Sequence, residues 1–253
     1  MARRRARGTA REPRGATAPP RIPPHTDQLD LDELGGHEAH ERVRCDGGAL
    51  LGQTLAGLSL RGAVLAGCRL TGMVLPDLEL VDVVLRDCDL SGADLSGARL
   101  QRVTFERCRL SGLVAADGTA TDVRLVDCRA EESWWRMSRL DHCDLIDVDL
   151  TGSDWYGARV RRSRILRSRL DGSELSTAAF TDVALHGSSL AGIRGADLKD
   201  LVIGSDQVIE LAVALFATRN VVIDDDPDDA DGESGLGSGP ELDADRQIDG
   251  RHG

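Results

Sequence analysis

From Leu50 to Leu190 every fifth residue is apolar. Twenty of these 29 positions are Leu; the others are Phe105, Ala115, Ala120, Ala130, Trp135, Trp155, Val160, Ile165 and Phe180. Two residues before each of them, 24 of 29 positions hold Gly, Ala, Ser, Cys or Val, the exceptions being Gln53, Leu58, Met73, Leu78 and Leu113. A helix repeats every 3.6 residues and a flat strand every 2, so neither produces a period of five. A chain that turns a corner every five residues does. Each side then points one large and one small residue inward and leaves the rest to water. After Leu190 the phase breaks, and the next apolar centres are Ile193, Leu198 and Ile203. Ser205 or Asp206 can cap a helix over 206–217, with Val208, Ile209, Leu211, Ala212, Leu215 and Phe216 on its apolar face. Residues 220–223 read as a short strand, 42–45 as an entering strand, and 29–34 as weak covering structure.

Ala93-Asp94-Leu95-Ser96-Gly97, followed by Ala98-Arg99-Leu100, fits the pattern A-(D/N)-L-x-x. In this the chain resembles the pentapeptide-repeat proteins, from Leu50 through Leu190. The resemblance implies an all-β fold, a right-handed quadrilateral parallel β-helix with four repeats in each coil, so that residue n stacks on n+20. Twenty-nine repeats then make about seven coils, which at roughly 4.8 Å per coil give a rod about 35 Å long.

The charges test this coil length independently, because residues n and n+20 would be stacked neighbours. Between residues 45 and 190, opposite charges meet at this spacing 15 times and like charges four times. Random pairing of the 17 Arg and 21 acids there would give about equal numbers of each. Stacked strands require such an excess, since facing like charges destabilise and opposite ones help. Gly also keeps the register at 52, 72, 92, 112, 152, 172 and 192, with Glu132 as the break. One corner of each coil thus calls for a backbone that Gly reaches cheaply.

The net charge of −12 is unevenly spread: +2 over residues 1–44, −4 over 45–205 and −10 over 206–253. This divides the chain into a disordered basic arm (1–28), a lead-in (29–49), the β-helix (50–205), a C-terminal helix and short strand (206–223) and a disordered acidic tail (224–253). Residues 1–24 carry seven Arg and one Glu without the apolar stretch of a secretory signal. No apolar run approaches the length of about 18 that a spanning helix needs, so no membrane-spanning helix is expected. A solenoid exposes core and strand edges at its ends and needs caps. The helix over 206–217 serves as that cap or as a homodimer interface, a use some family members make of it.

Little in the sequence points to chemistry. Cys68, Cys88, Cys108 and Cys128 recur once per coil in the small inward position. Their column would span about 14 Å. Zinc needs four sulfurs at about 2.3 Å from one ion, which such a column does not offer. They read as small buried hydrophobes, with thiols suited to a reducing cytoplasm. The six His lack metal spacing, and no phosphate loop or nucleophile elbow is present. No cofactor is expected, and the protein reads as no enzyme. Trp135 and Trp155 fall in one interior column with Ala115 beneath to make room. Trp134 and Tyr156 point outward and form the best apolar contact patch. The basic cluster at 159–169 is compensated: Asp141, Asp144, Asp147 and Asp149 lie one coil below Arg161, Arg164, Arg167 and Arg169, and Asp182 lies above Arg162. Only Arg159, stacked on Arg139, lacks an opposite charge. Direct nucleic-acid binding is therefore not expected except through the basic arm.

The leading functional expectation is a non-enzymatic rod or scaffold for an unidentified protein partner, in the cytoplasm. The family resemblance implies an alternative. Some pentapeptide-repeat proteins imitate B-DNA and bind type II topoisomerases, protecting gyrase from quinolones or inhibiting it. Asp77, Asp94, Asp117, Asp154 and Glu174 share one side with few Arg and are the candidate acidic surface for that role.

Overall fold

The computed structural model describes residues 17–195, 201–209, 211 and 212. They form a parallel β-solenoid almost without helix. Residue n pairs with n+20 through most of its length: Leu60 with Leu80, Leu80 with Leu100, Leu100 with Ala120, and Leu85 with Phe105. The longest strands are Ser59–Ala66, Glu79–Arg86, Arg99–Glu106 and Thr119–Val126, each rounding one corner between two sides.

The path of one side passes through ten strands, hence nine turns rather than the seven expected. The two additional turns are shorter than the rest. At the start Asp27 pairs with Val43, and at the end Val183 pairs with Leu201, so neither partner lies at n+20. A count by fives from Leu50 to Leu190 passes over both.

The inward residues fill the interior. Leu60, Leu65, Leu85, Leu95, Leu125 and Leu145 are all buried. Where Ala115 and Ala120 replace Leu, an apolar cavity of about 40 Å³ remains, lined also by Phe105, Leu125 and Trp135. The small residue beneath Trp135 thus makes room for more than the ring. Trp135 and Trp155 stack, with centroids 5.2 Å apart and planes at 12°. Each indole N–H donates to a serine two residues earlier, Trp135 to Ser133 at 2.8 Å and Trp155 to Ser153 at 2.7 Å. Ser occupies the small inward position in these coils, so the buried indole finds its acceptor within its own repeat.

All four corners of the coil, not one, adopt the left-handed backbone. Besides glycines, eight Asp and five Arg hold a positive φ, among them Asp82 at 57° and Arg102 at 51°. Asp tolerates this region better than most residues. Arg does not, but corner side chains stack along the axis and meet as bidentate ion pairs. Arg102 grips Asp82 at 2.6 and 2.7 Å, Arg107 grips Asp87 at 2.8 and 2.9 Å, and Arg167 grips Asp147 at 2.8 and 2.6 Å. Paired, charge-assisted bonds of this geometry are the strong ones.

These pairs make stability depend on pH. Hydrogen bonds from Arg102, Arg107 and Arg167 hold the carboxyls of Asp82, Asp87 and Asp147 below the usual carboxylate range. A carboxyl with a lowered folded pKa binds fewer protons folded than unfolded. Its contribution is present above the unfolded value of about 3.9 and disappears as pH falls through the folded value. The melting temperature should therefore be level from about pH 5 to 8 and fall below about pH 4. A thermal melt series across that range checks this.

Both ends carry covering residues. At the start, Leu31, the first residue of a 3₁₀ turn (Leu31–Glu33), and Leu34, just after it, are buried. At the end, a 3₁₀ turn over Ser205–Gln207 buries the Gln207 side chain, which donates to the Leu185 and Ser188 carbonyls at 2.6 Å each. Residues 208, 209, 211 and 212 continue helically, with Leu211 buried. The rest of the expected 206–217 helix, the strand at 220–223, the tail and the arm before residue 17 lie outside the described residues. Residues 17–28, read from composition as part of a disordered arm, are placed along the solenoid.

Candidate protein-contact surface

The side centred on Leu75, Leu95, Ala115, Trp135, Trp155 and Leu175 carries the large exposed apolar groups predicted for contact. Its outward row runs Thr54, Val74, Asp94, Val114, Trp134, Asp154, Glu174, Arg194, each bridged to the next. Trp134 is 50% exposed and Tyr156 46%. Sequence reasoning missed Met137, 53% exposed at the neighbouring corner with φ 56°. Its thioether lies over Gly157. The available signal was a large apolar residue at a corner that elsewhere holds Gly, Asp, Thr or His.

Arg136 organises the patch. Its guanidinium lies 5.6 Å from the centroid of the Trp134 ring and pairs with Asp154 at 2.6 Å. Asp154 also accepts the Tyr156 N–H at 2.9 Å. Burial pushes the Asp154 carboxyl up, but the Arg136 and Tyr156 bonds outweigh it and hold the group below its ordinary value. The result is an indole face, a phenol and a thioether around a neutralised ion pair.

The cysteine column is buried, with all six thiols free. Cys88, Cys108 and Cys128 each direct S–H at a carbonyl in the coil below, Leu65, Leu85 and Phe105, at 3.5 Å. Ser168, Ser173 and Ser188 make the same bond to Leu145, Leu150 and Ile165 in later coils. The column is thus a row of small weak donors. Burial pushes the Cys45 thiol up to about 11 and the Cys143 thiol to about 12.

Two family models match this repeat: "Pentapeptide repeats (8 copies)" on residues 79–112 and "Pentapeptide repeat region" on residues 98–175. Residues 79–175 are pentapeptide repeats. No curated protein matches the chain. Among solved structures it is similar to full-length QnrB1, a plasmid-mediated fluoroquinolone resistance protein, at 21% identity over 78% of this chain and 95% of that one, with a TM-score of 0.44. It is also similar to HetL, a pentapeptide-repeat protein involved in heterocyst differentiation regulation from the cyanobacterium Nostoc sp. strain PCC 7120. That match has 17% identity over 64% of this chain and 91% of HetL, with a TM-score of 0.25.

The pentapeptide-repeat frame also locates the acidic candidates. Asp94, Asp154 and Glu174 share the outward row, interrupted by Val114 and Trp134. Asp77 and Asp117 sit at the adjoining corner with φ 58° and 57°. Asp154 and Glu174 are paired, with Arg136 and Arg194. On the next side Arg139 stacks directly on Arg159, both are exposed, and neither is in an ion pair among the described residues. Of the compensated arginines, Arg164, Arg167 and Arg169 pair with the acids one coil below. Arg162 differs from expectation: it pairs with Asp141 rather than Asp182, reaching diagonally from the corner. No helix among the described residues is long and apolar enough to cross a membrane.

Proposed function

We propose that this pentapeptide-repeat protein is a non-enzymatic interaction rod whose contact site is the Trp134–Arg136–Met137–Tyr156 patch. One observation carries the reading: three large apolar side chains stand about half exposed beside one another on a solenoid whose interior is filled by its own side chains. Trp, Tyr and Arg are the residues that most often dominate binding energy at protein interfaces. Six buried free thiols suit a reducing compartment such as the cytoplasm.

Trp134→Ala/Tyr156→Ala should weaken partner binding by about 30-fold or more, while the melting temperature changes little because both residues are on the surface. Tagged wild type and the double variant would each be used for capture from native lysate, followed by affinity measurement with the recovered protein. Equal capture by both would sink the assignment.

Imitation of DNA toward a type II topoisomerase is the alternative. Duplex DNA carries a charge about every 1.7 Å of its axis, whereas Asp94 and Asp154 are three coils apart with uncharged side chains between. Recovery of a type II topoisomerase that the double variant still captures would favour that alternative. A homodimer through residues 206–217 and nucleic-acid binding by the basic arm remain separate proposals, since both rest mainly on residues outside those described.

A further inference from the structure

The segment Thr17-Ala18-Pro19-Pro20-Arg21-Ile22-Pro23-Pro24 lies along the corner row formed by Gly62, Asp82, Arg102 and Asp122. Pro23 packs over Gly62 so closely that a Cβ there would meet its Cδ at 2.9 Å. The Arg21 N–H donates to Asp82 Oδ1 at 2.9 Å, and the Ala18 N–H donates to Asp122 Oδ1 at 3.1 Å. The Thr17 hydroxyl reaches Asp144 Oδ2 at 3.0 Å. The row of outward residues beside the segment is covered: Val64, Val84 and Thr104 are 6–8% exposed, while Val74, outward on another side, is 40% exposed.

The spacing has a physical basis. Proline fixes φ at about −65°, and the residue before proline is driven to the extended or polyproline II region. Ala18, Pro19, Ile22 and Pro23 all precede a proline. Polyproline II has three residues per turn and rises about 3.1 Å per residue, or about 9.3 Å per turn. Two coils of the solenoid rise about 9.6 Å. Three residues of such a segment therefore match two coils, and residues 18 and 21 meet the acids at 122 and 82, two coils apart. Of the eight residues, four are prolines with no N–H to satisfy. Arg102, in the coil between, is turned onto Asp82 and fixes its carboxylate for the incoming N–H.

We propose that this corner seam is a recognition site for proline-rich peptides in the polyproline II conformation, with N–H donors three residues apart, and that Thr17–Pro24 is its resident occupant. The ligand class is a proline-rich segment of a partner protein that carries the same donor spacing and exchanges with the resident one. Asp82 and Asp122 read the donors, and Val64, Val84 and Thr104 supply the apolar lane.

The full-length chain carrying Ala18→Pro/Arg21→Pro removes both donors while keeping the segment's favoured conformation. The probe is a fluorescent peptide of the natural residues 14–26, followed by anisotropy. The variant should bind the peptide saturably and at least about tenfold more tightly than wild type does, because in wild type the tethered segment competes at an effective concentration near millimolar. A peptide with the same two proline substitutions should bind at least about tenfold more weakly, since each lost bond is to a charged acceptor. No saturable binding up to about 1 mM, the effective concentration the tether itself supplies, would overturn the proposal. So would equal binding of natural and substituted peptides, or of a scrambled peptide of the same composition, which reports charge alone. If the double variant does not keep the wild-type circular dichroism and melt, Arg21→Pro alone is used with the same reading.

Discussion

Leu125→Asp should leave the chain without a cooperative melt near that of wild type. Leu125 is 3% exposed in the strand Thr119–Val126, aligned with Phe105 in the coil before and Leu145 in the coil after. Leu125 lines a largely apolar cavity between coils. An unpaired charge in such a place costs several kcal/mol or more. A whole domain has only about 5–15 kcal/mol to lose. In a stack where each coil touches only its neighbours, loss of a central coil also breaks the contact between the two halves. Circular dichroism on heating reads the result. A melting temperature close to that of wild type would count decisively against the inward assignment of the five-residue pattern.

Trp155→Ala should cost about 3–5 kcal/mol, the range for removing a large buried ring. Trp155 is fully buried, stacks on Trp135 and donates to Ser153. Ala leaves a void between coils that cannot collapse without moving a strand ladder. The Ser153 hydroxyl keeps its contact with Ser173 at 3.0 Å, so the loss is mainly of packing. Trp134→Ala, at the adjacent outward position and half exposed, is the control and should shift stability by less than about 0.5 kcal/mol. Denaturant unfolding of both variants checks the contrast, and equal losses would overturn the placing of one indole inside and the other outside.

The fold was legible because the step from n to n+20 acts on every position at once. Leu at every fifth residue, Gly at 52 and 72, and opposite charges at 82 and 102 all report the same repeat, so each confirms the others. The ends were not legible, because the first and last turns are shorter and break the phase that carried the signal. Residues 17–28 were misread for a different reason. Prolines argue against a packed core, and composition therefore reads as disorder. Yet a proline-rich segment needs no core of its own when its free N–H groups meet acceptors along a corner row, as those of Ala18 and Arg21 do. Trp134 and Tyr156 were legible as outward residues, whereas the exposed Met137 and the bridging Arg136 depend on which corner and row adjoin, which the repeat spacing alone does not give. The diagonal reach of Arg162 to Asp141 likewise follows from side-chain length, which strict n+20 spacing ignores.

The plug at the last turn bears on how the molecule behaves in a crowd. A parallel ladder with identical spacing along its length is a growth front, because its final edge presents to another molecule what each coil presents to the next. Gln207 occupies the Leu185 and Ser188 carbonyls of that edge, and the shortened turn sets Leu201 and Val202 out of step with the register behind them. A second molecule arriving there finds acceptors already taken and a mismatched lattice. Among the described residues, those that break the pattern are the ones that occupy this edge.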